Sequence, residues 1–159
     1  MRYQLIQPRD SALTAVQQIL NNRGINPYEM DRFKYPSQDD IIDPLQLENI
    51  HRGAQMLMKH VGQNDKIFIQ VDSDCDGYTS AALLLNYLHR SFPSYVESHV
   101  SYGLHNKKHH GINIEDVPEG TKLVIVPDAS SNEVDFHKQL FDKGIHIVVL
   151  DHHHAPIDE

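Results

Sequence analysis

The chain predicts an α/β protein, a mostly parallel sheet flanked by helices with metal-site loops at the strand carboxyl ends. Three observations carry this. Short apolar runs at 67–71, 122–126 and 145–150 are separated by segments of helical periodicity, as in parallel strands covered on both faces. Each run ends in acidic or histidine residues: Asp72-Ser73-Asp74-Cys75-Asp76, Asp128, and Asp151-His152-His153-His154. Loops that leave parallel strands lie along one edge of the sheet, so clusters far apart in sequence converge in space.

The elements follow in order. Residues 3–6 read as a short edge strand. Residues 11–22 read as a helix because Leu13, Val16, Ile19 and Leu20 share a face, with Gly24 as its stop. Residues 26–40, with Pro27, Pro36 and Ser37, read as irregular connection. Asp43-Pro44 has the character of a helix start, and the helix it opens carries Leu45, Leu47, Ile50, Ala54, Leu57 and Met58 to a stop near Gly62. The first core strand is 66–71, and Gly77 breaks the acidic turn before a helix over 78–89. Leu83 to Leu85, like Leu57 and Met58, read as core. Residues 95–102 read as a second strand from their alternation, and 104–113 as a polar loop holding His105, His109 and His110. A helix over 133–143 offers Val134, Phe136, Leu140 and Phe141 to the core and stops at Gly144.

A chain of 159 residues is long enough for one domain with a sizeable core. The net charge of -8, with 12 His counted neutral, argues against a generic basic nucleic-acid coat. It leaves room for a nucleic-acid enzyme, because bound metal ions reverse the local sign. A single cysteine, Cys75, excludes an intramolecular disulfide and a Cys-cluster zinc site; it reads as a small spacer. With no signal peptide and no long apolar run, the expectation is a soluble cytoplasmic protein with no membrane partner.

Three carboxylates in one short turn repel one another and call for a cation. Carboxylate and imidazole ligands together suit Mn²⁺, Fe²⁺, Co²⁺ or Zn²⁺, and several carboxylates also suit Mg²⁺. An Asp shared by two ions would build a two-metal site able to position water and stabilise an in-line phosphoryl displacement. A helix opening near Thr79-Ser80 offers N–H groups to a phosphate, and His110 is a further candidate phosphate contact. Simpler readings compete. A calcium loop starting at Asp72 would require Glu where Leu83 stands. The Asp72-x-Asp74 pair is similar to haloacid-dehalogenase-type phosphatases, but these usually carry Thr or Val at the place of Asp76. Asp128 alone would read as a turn or cap, and Asp151 to His154 as a solvated terminus, were they not each fed by a buried strand.

Val71-Asp72-Ser73-Asp74-Cys75-Asp76-Gly77, Val126-Pro127-Asp128 and Leu150-Asp151-His152-His153, in that order and spacing, resemble the motifs of the DHH phosphoesterase family. The upstream Asn22-Arg23-Gly24-Ile25 and Asp43-Pro44 look most like its RecJ branch. The resemblance implies a metal-dependent phosphodiesterase using Mn²⁺ (or Mg²⁺), with two ions in the complete enzyme. For the RecJ branch it implies 5′-to-3′ degradation of single-stranded DNA in repair and recombination. By motif position, Asp74, Asp76, Asp128, His152 and His153 are the implied metal and catalytic residues. Asp72 and Asp151 support them, and Thr79, Ser80 and His110 are candidate phosphate contacts. Residues 1–62 then form a helical lead-in packed on the core, and 63–159 a portion of the catalytic domain. The family places a further metal-binding Asp and usually a second domain beyond this region. The expectation is therefore an incomplete form whose site a second domain or chain completes. Alternatives are a phosphodiesterase of short oligonucleotides or cyclic dinucleotides, and a non-catalytic metal- or nucleic-acid-binding module. His154 has no assigned role.

Overall fold

The computed structural model describes residues 7–105 and 109–155, so the edge strand expected at 3–6 lies outside the described residues. The chain divides into two compact units, Met1–Glu48 and Asn49–Glu159.

The first unit holds two helices, α1 (Ala15–Asn22) and α2 (Pro27–Lys34), and two 3₁₀ turns, Gln38–Asp40 and Pro44–Gln46. Helix α1 starts later than its apolar pattern suggests because Thr14 caps it: the hydroxyl accepts from Gln17 N, and the Gln17 side chain accepts from Thr14 N. The irregular connection expected over 26–40 instead contains α2. Asn26 and Glu29 form the same reciprocal cap, and Pro27 stands at the first helical position, where its missing N–H costs nothing. The helix expected from Asp43-Pro44 to Gly62 is broken. Asp43 caps only a 3₁₀ turn, and Asn49, in the left-handed region at φ 61°, redirects the chain before α3 (Ile50–Gly62). Helix α3 groups with the second unit.

The second unit continues with β1 (Lys66–Val71), α4 (Cys75–Ser91), α5 (Pro93–His99), β2 (Val100–Leu104), β3 (Thr121–Pro127), α6 (Val134–Asp142) and β4 (His146–Leu150). The four strands are all parallel, in the order β2-β1-β3-β4. Ile69 lies between Tyr102 and Ile125, and Val126 faces Val149. The chain runs from β1 outward to β2, passes back across β1 to β3, and then continues outward to β4. Adjacent β1 and β3 therefore send their following segments in opposite directions. That reversal opens a crevice at their carboxyl ends, where open α/β sheets bind ligands.

Alternation along β1 divides the core. Ile67, Ile69 and Val71 join Leu123 and Ile125 on one face, beneath Val61 of α3 and Ala81 and Leu88 of α4. Phe68 joins Val124, Val126, Ile112 and Leu140 on the other. Burying such side chains stabilises the sheet by roughly 1.5–3 kcal/mol each relative to exposure.

The strand expected at 95–102 is a helix as far as His99. Pro93 starts it, and Phe92, Tyr95 and Val96, at helical spacing, all pack on the core. Of the residues read as core, Leu83, Met58, Val134, Phe136 and Phe141 are exposed. Among the described residues no helix is long and apolar enough to cross a membrane.

Candidate metal centre

Each strand end delivers its polar residues differently. Beyond β1, Asp72 is buried, at 1 % exposure. Its Oδ2 accepts from His110 Nδ1 at 2.8 Å and its Oδ1 from Gly111 N at 3.2 Å. Helix α4 begins three residues later, and Asp74 caps it by accepting from Gly77 N at 3.0 Å. Gly77 is required here: a Cβ would stand 2.6 Å from Asp72 Cβ and 2.9 Å from the Asp72 carbonyl carbon. The close approach turns Asp74 and the exposed Asp76 toward β3. The backbone hydrogen bond from Gly77 holds the Asp74 carboxyl below the usual carboxylate range.

Beyond β3, Asp128 adopts a left-handed backbone, φ 72°, and its N–H donates to Leu150 O at 2.6 Å. Non-glycine residues enter this region at a cost, and such strain gathers at functional sites. The Asp128 side chain is buried. Its Oδ1 lies 3.1 Å from His152 Nε2, while Oδ2 is buried without a hydrogen-bond partner. Burial, then the nearby charges of Asp76 and Asp74, push its carboxyl above the usual range. A buried carboxylate oxygen with no donor is costly unless a cation answers it.

Beyond β4, Asp151 organises the terminal histidines. Burial pushes its carboxyl up, but hydrogen bonds outweigh that and hold it well below the usual range: His153 N and Ser131 N donate at 3.0 and 2.9 Å, and His153 Nδ1 at 2.7 Å. With Nδ1 committed to Asp151, His153 keeps Nε2 for a metal, the arrangement by which a carboxylate orients a ligating imidazole. The same hydrogen bond raises the His153 pKa. The His152 and His153 rings lie 4.7 Å apart.

These residues form overlapping groups whose ligand atoms lie within 4.8 Å of one another: Asp128, His152 and His153; Asp74, Asp76 and Asp128; and Asp72, Asp74 and His110. Asp128 belongs to both of the first two. The donor set of carboxylate oxygens and imidazole nitrogens, with an orphaned oxygen on the shared Asp, fits one or two divalent cations.

The arrangement brings together Asp74, Asp76, Asp128, His152 and His153, and gives Asp72 and Asp151 holding positions. Thr79 and Ser80 do not join them. Helix α4 opens at Cys75 rather than near Thr79, so both lie beyond its first turn, and their hydroxyls donate to helix carbonyls at Cys75 and Gly77. The His154 carbonyl accepts from Asn132 Nδ2. Two contributors escaped the sequence reading. Gln70, fully buried in β1, accepts from Asn113 N, and Glu133 accepts from Ile112 N and Ser130 Oγ. A polar residue inside an apolar strand and the Ser130-x-x-Glu133 spacing were the available signals.

Comparison with known proteins identifies the family and the fold. The DHH family, N-terminal domain, matches residues 66–159, and the chain belongs to that family. It is 37% identical over 153 residues to a Bacillus subtilis (strain 168) protein that carries the name SPbeta prophage-derived single-strand DNA-specific exonuclease YorK. That match covers 96% of this chain and 26% of the relative. It is 25% identical over 142 residues to the single-stranded-DNA-specific exonuclease RecJ of the same organism, covering 87% of this chain and 18% of that one. The crystal structure of exonuclease RecJ bound to manganese superposes with a TM-score of 0.59 at 24% identity. It covers 73% of this chain and 30% of the other, and shares the fold. The chain thus spans about a quarter or less of the length of these curated relatives.

Proposed function

We propose that this chain carries the metal-binding part of a phosphodiesterase that degrades single-stranded DNA in the 5′-to-3′ direction with two Mn²⁺ (or Mg²⁺) ions. The observation that carries the reading is Asp128: a buried, partly orphaned carboxylate shared by two ligand groups at the crevice between β1 and β3. Asp74 and Asp76 would hold one ion with Asp128, and His152 and His153 the other. Bound there, divalent ions supply charge neutralisation of the phosphate and activation of water. The chain's own residues do the rest. Asp151 fixes the His153 tautomer, the Asp74 cap holds the acidic turn, and the strained Asp128 backbone aims its carboxylate into the crevice. The names of the relatives support a single-stranded DNA substrate.

The test is an assay with Mn²⁺ and single-stranded DNA labelled at one end or the other, with a cyclic dinucleotide as competitor and Asp76→Ala as control. The expected result, from this chain or once a second domain or chain completes its site, is early release of a 5′ label as mononucleotide, absent in the control. Metal binding with no cleavage of any phosphodiester in either setting would favour a non-catalytic binding module.

A further inference from the structure

We propose that His110 is a substrate-positioning residue, held by Asp72 so that its outer nitrogen, Nε2, bonds a non-bridging oxygen of the substrate phosphate at the rim of the metal centre; this rests on the functional reading above. The first support is how firmly the loop is fixed. Three consecutive backbone N–H groups, of Gly111, Ile112 and Asn113, donate to the side chains of Asp72, Glu133 and Gln70 at 3.2, 2.8 and 3.2 Å. His105 Nε2 adds a hydrogen bond to Gly111 O at 2.7 Å. Gly111 has φ 79°, and a Cβ there would collide with the Glu133 carboxylate. Burying Asp72 and Gln70 as acceptors for loop amides is a large commitment of polar groups, and it keeps His110 in one place.

The second support is what that fixation does not use. The loop amides suffice to hold the backbone, yet the His110 ring also bonds Asp72 while its side chain stays 61% exposed. An exposed ring adds little to the core. With Nδ1 donating to Asp72, Nε2 is left for a ligand, and among the described residues no protein group bonds it. A phosphate oxygen offers only acceptor sites, so Nε2 would meet it as an N–H donor.

The third support is location. His110 stands beside Asp74, within 4.8 Å by ligand atoms, where an incoming phosphodiester meets several carboxylates. Both Asp72 oxygens already accept hydrogen bonds, unlike Asp128 Oδ2. Asp72 and His110 therefore read as a holder and a donor, not as a third ion site.

The test compares unmutated protein with His110→Ala and His110→Gln. Each is measured for Mn²⁺ affinity, for melting temperature, and for binding of thymidine 5′-monophosphate to the Mn²⁺-loaded form. A hydrogen bond to a charged group corresponds to roughly a tenfold to hundredfold change in affinity. His110→Ala should lose that much nucleotide affinity, His110→Gln should regain part through its amide donor, Mn²⁺ affinity should not fall, and melting should drop somewhat in His110→Ala because buried Asp72 loses one of its two hydrogen bonds. Unaltered nucleotide affinity in His110→Ala overturns this inference alone. Loss of Mn²⁺ affinity overturns it by making His110 a ligand. Unmutated protein that takes Mn²⁺ but no nucleotide overturns both the inference and the functional reading.

Discussion

Single atoms decide where the carboxylates of this centre stand. At Gly77 the missing Cβ lets the first turn of α4 rest on Asp72. Gly77→Ala would gain about 1 kcal/mol in helix propensity. Its Cβ would however meet Asp72 backbone at 2.9 Å, and overpacking of this kind costs typically ~1–3 kcal/mol. The collision involves main chain that cannot rotate aside, so the variant should melt lower and bind metal more weakly; an unchanged melt would contradict the packing described. His153 gives a pH signature. Its hydrogen bond to Asp151 raises its pKa, so the metal-free protein favours the protonated ring, and an ion on Nε2 must displace that proton. Mn²⁺ affinity should therefore fall as pH is lowered, beginning above the free-imidazole value of about 6.5. Calorimetric titration across that range checks it, and a flat profile would count against imidazole ligation.

At the scale of elements, what propensity and periodicity specify was legible and what packing specifies was not. Strands β1 and β3 stand out as apolar runs because both faces are covered; β4, read as buried, is a half-buried edge strand that was legible from its apolar run alone. Helix α2 was hidden because Pro27 was read as part of an irregular connection, though it occupies the first helical position. Phe92, Tyr95 and Val96 carried a helical spacing that partial alternation over 95–102 concealed. The joint between α3 and β4 was invisible for another reason, since its partners are 86 residues apart: His60 Nε2 meets His146 Nδ1 at 2.9 Å. Its other ring nitrogen meets Asp65 Oδ2 at 2.8 Å, and Tyr95 OH donates to the Asp65 carbonyl. His60 is buried, so His60→Ala would leave a void and strip the partner from His146 and Asp65. Loss of a buried, hydrogen-bonded side chain of this size should lower stability by about 2–4 kcal/mol, read as a reduced urea midpoint with an unchanged slope. A change within a few tenths of a kcal/mol would mean the chain of rings carries no load.

At the scale of the whole sheet, the site exists because of strand order. The motifs at Asp72 to Asp76, Asp128 and Asp151 to His153 could be read as three strand-end clusters, and their convergence followed from parallel pairing. That β1 and β3 are neighbours with diverging connections was beyond sequence reading, since no local feature encodes which strands pair. This adjacency makes Asp128 the meeting point of ligands from all three strand ends. The measurement that bears most directly on it is calorimetric titration of Mn²⁺ into unmutated protein and into Asp128→Asn, chosen because Asn tolerates the left-handed backbone. Removing groups that merely orient metal ligands typically costs 10–100-fold in affinity, so loss of a shared ligand should weaken binding at least about tenfold. The metal-free fold should keep or raise its melting temperature, since a repelling carboxylate has gone. Equal affinity and stoichiometry in the two proteins would contradict a centre built around Asp128.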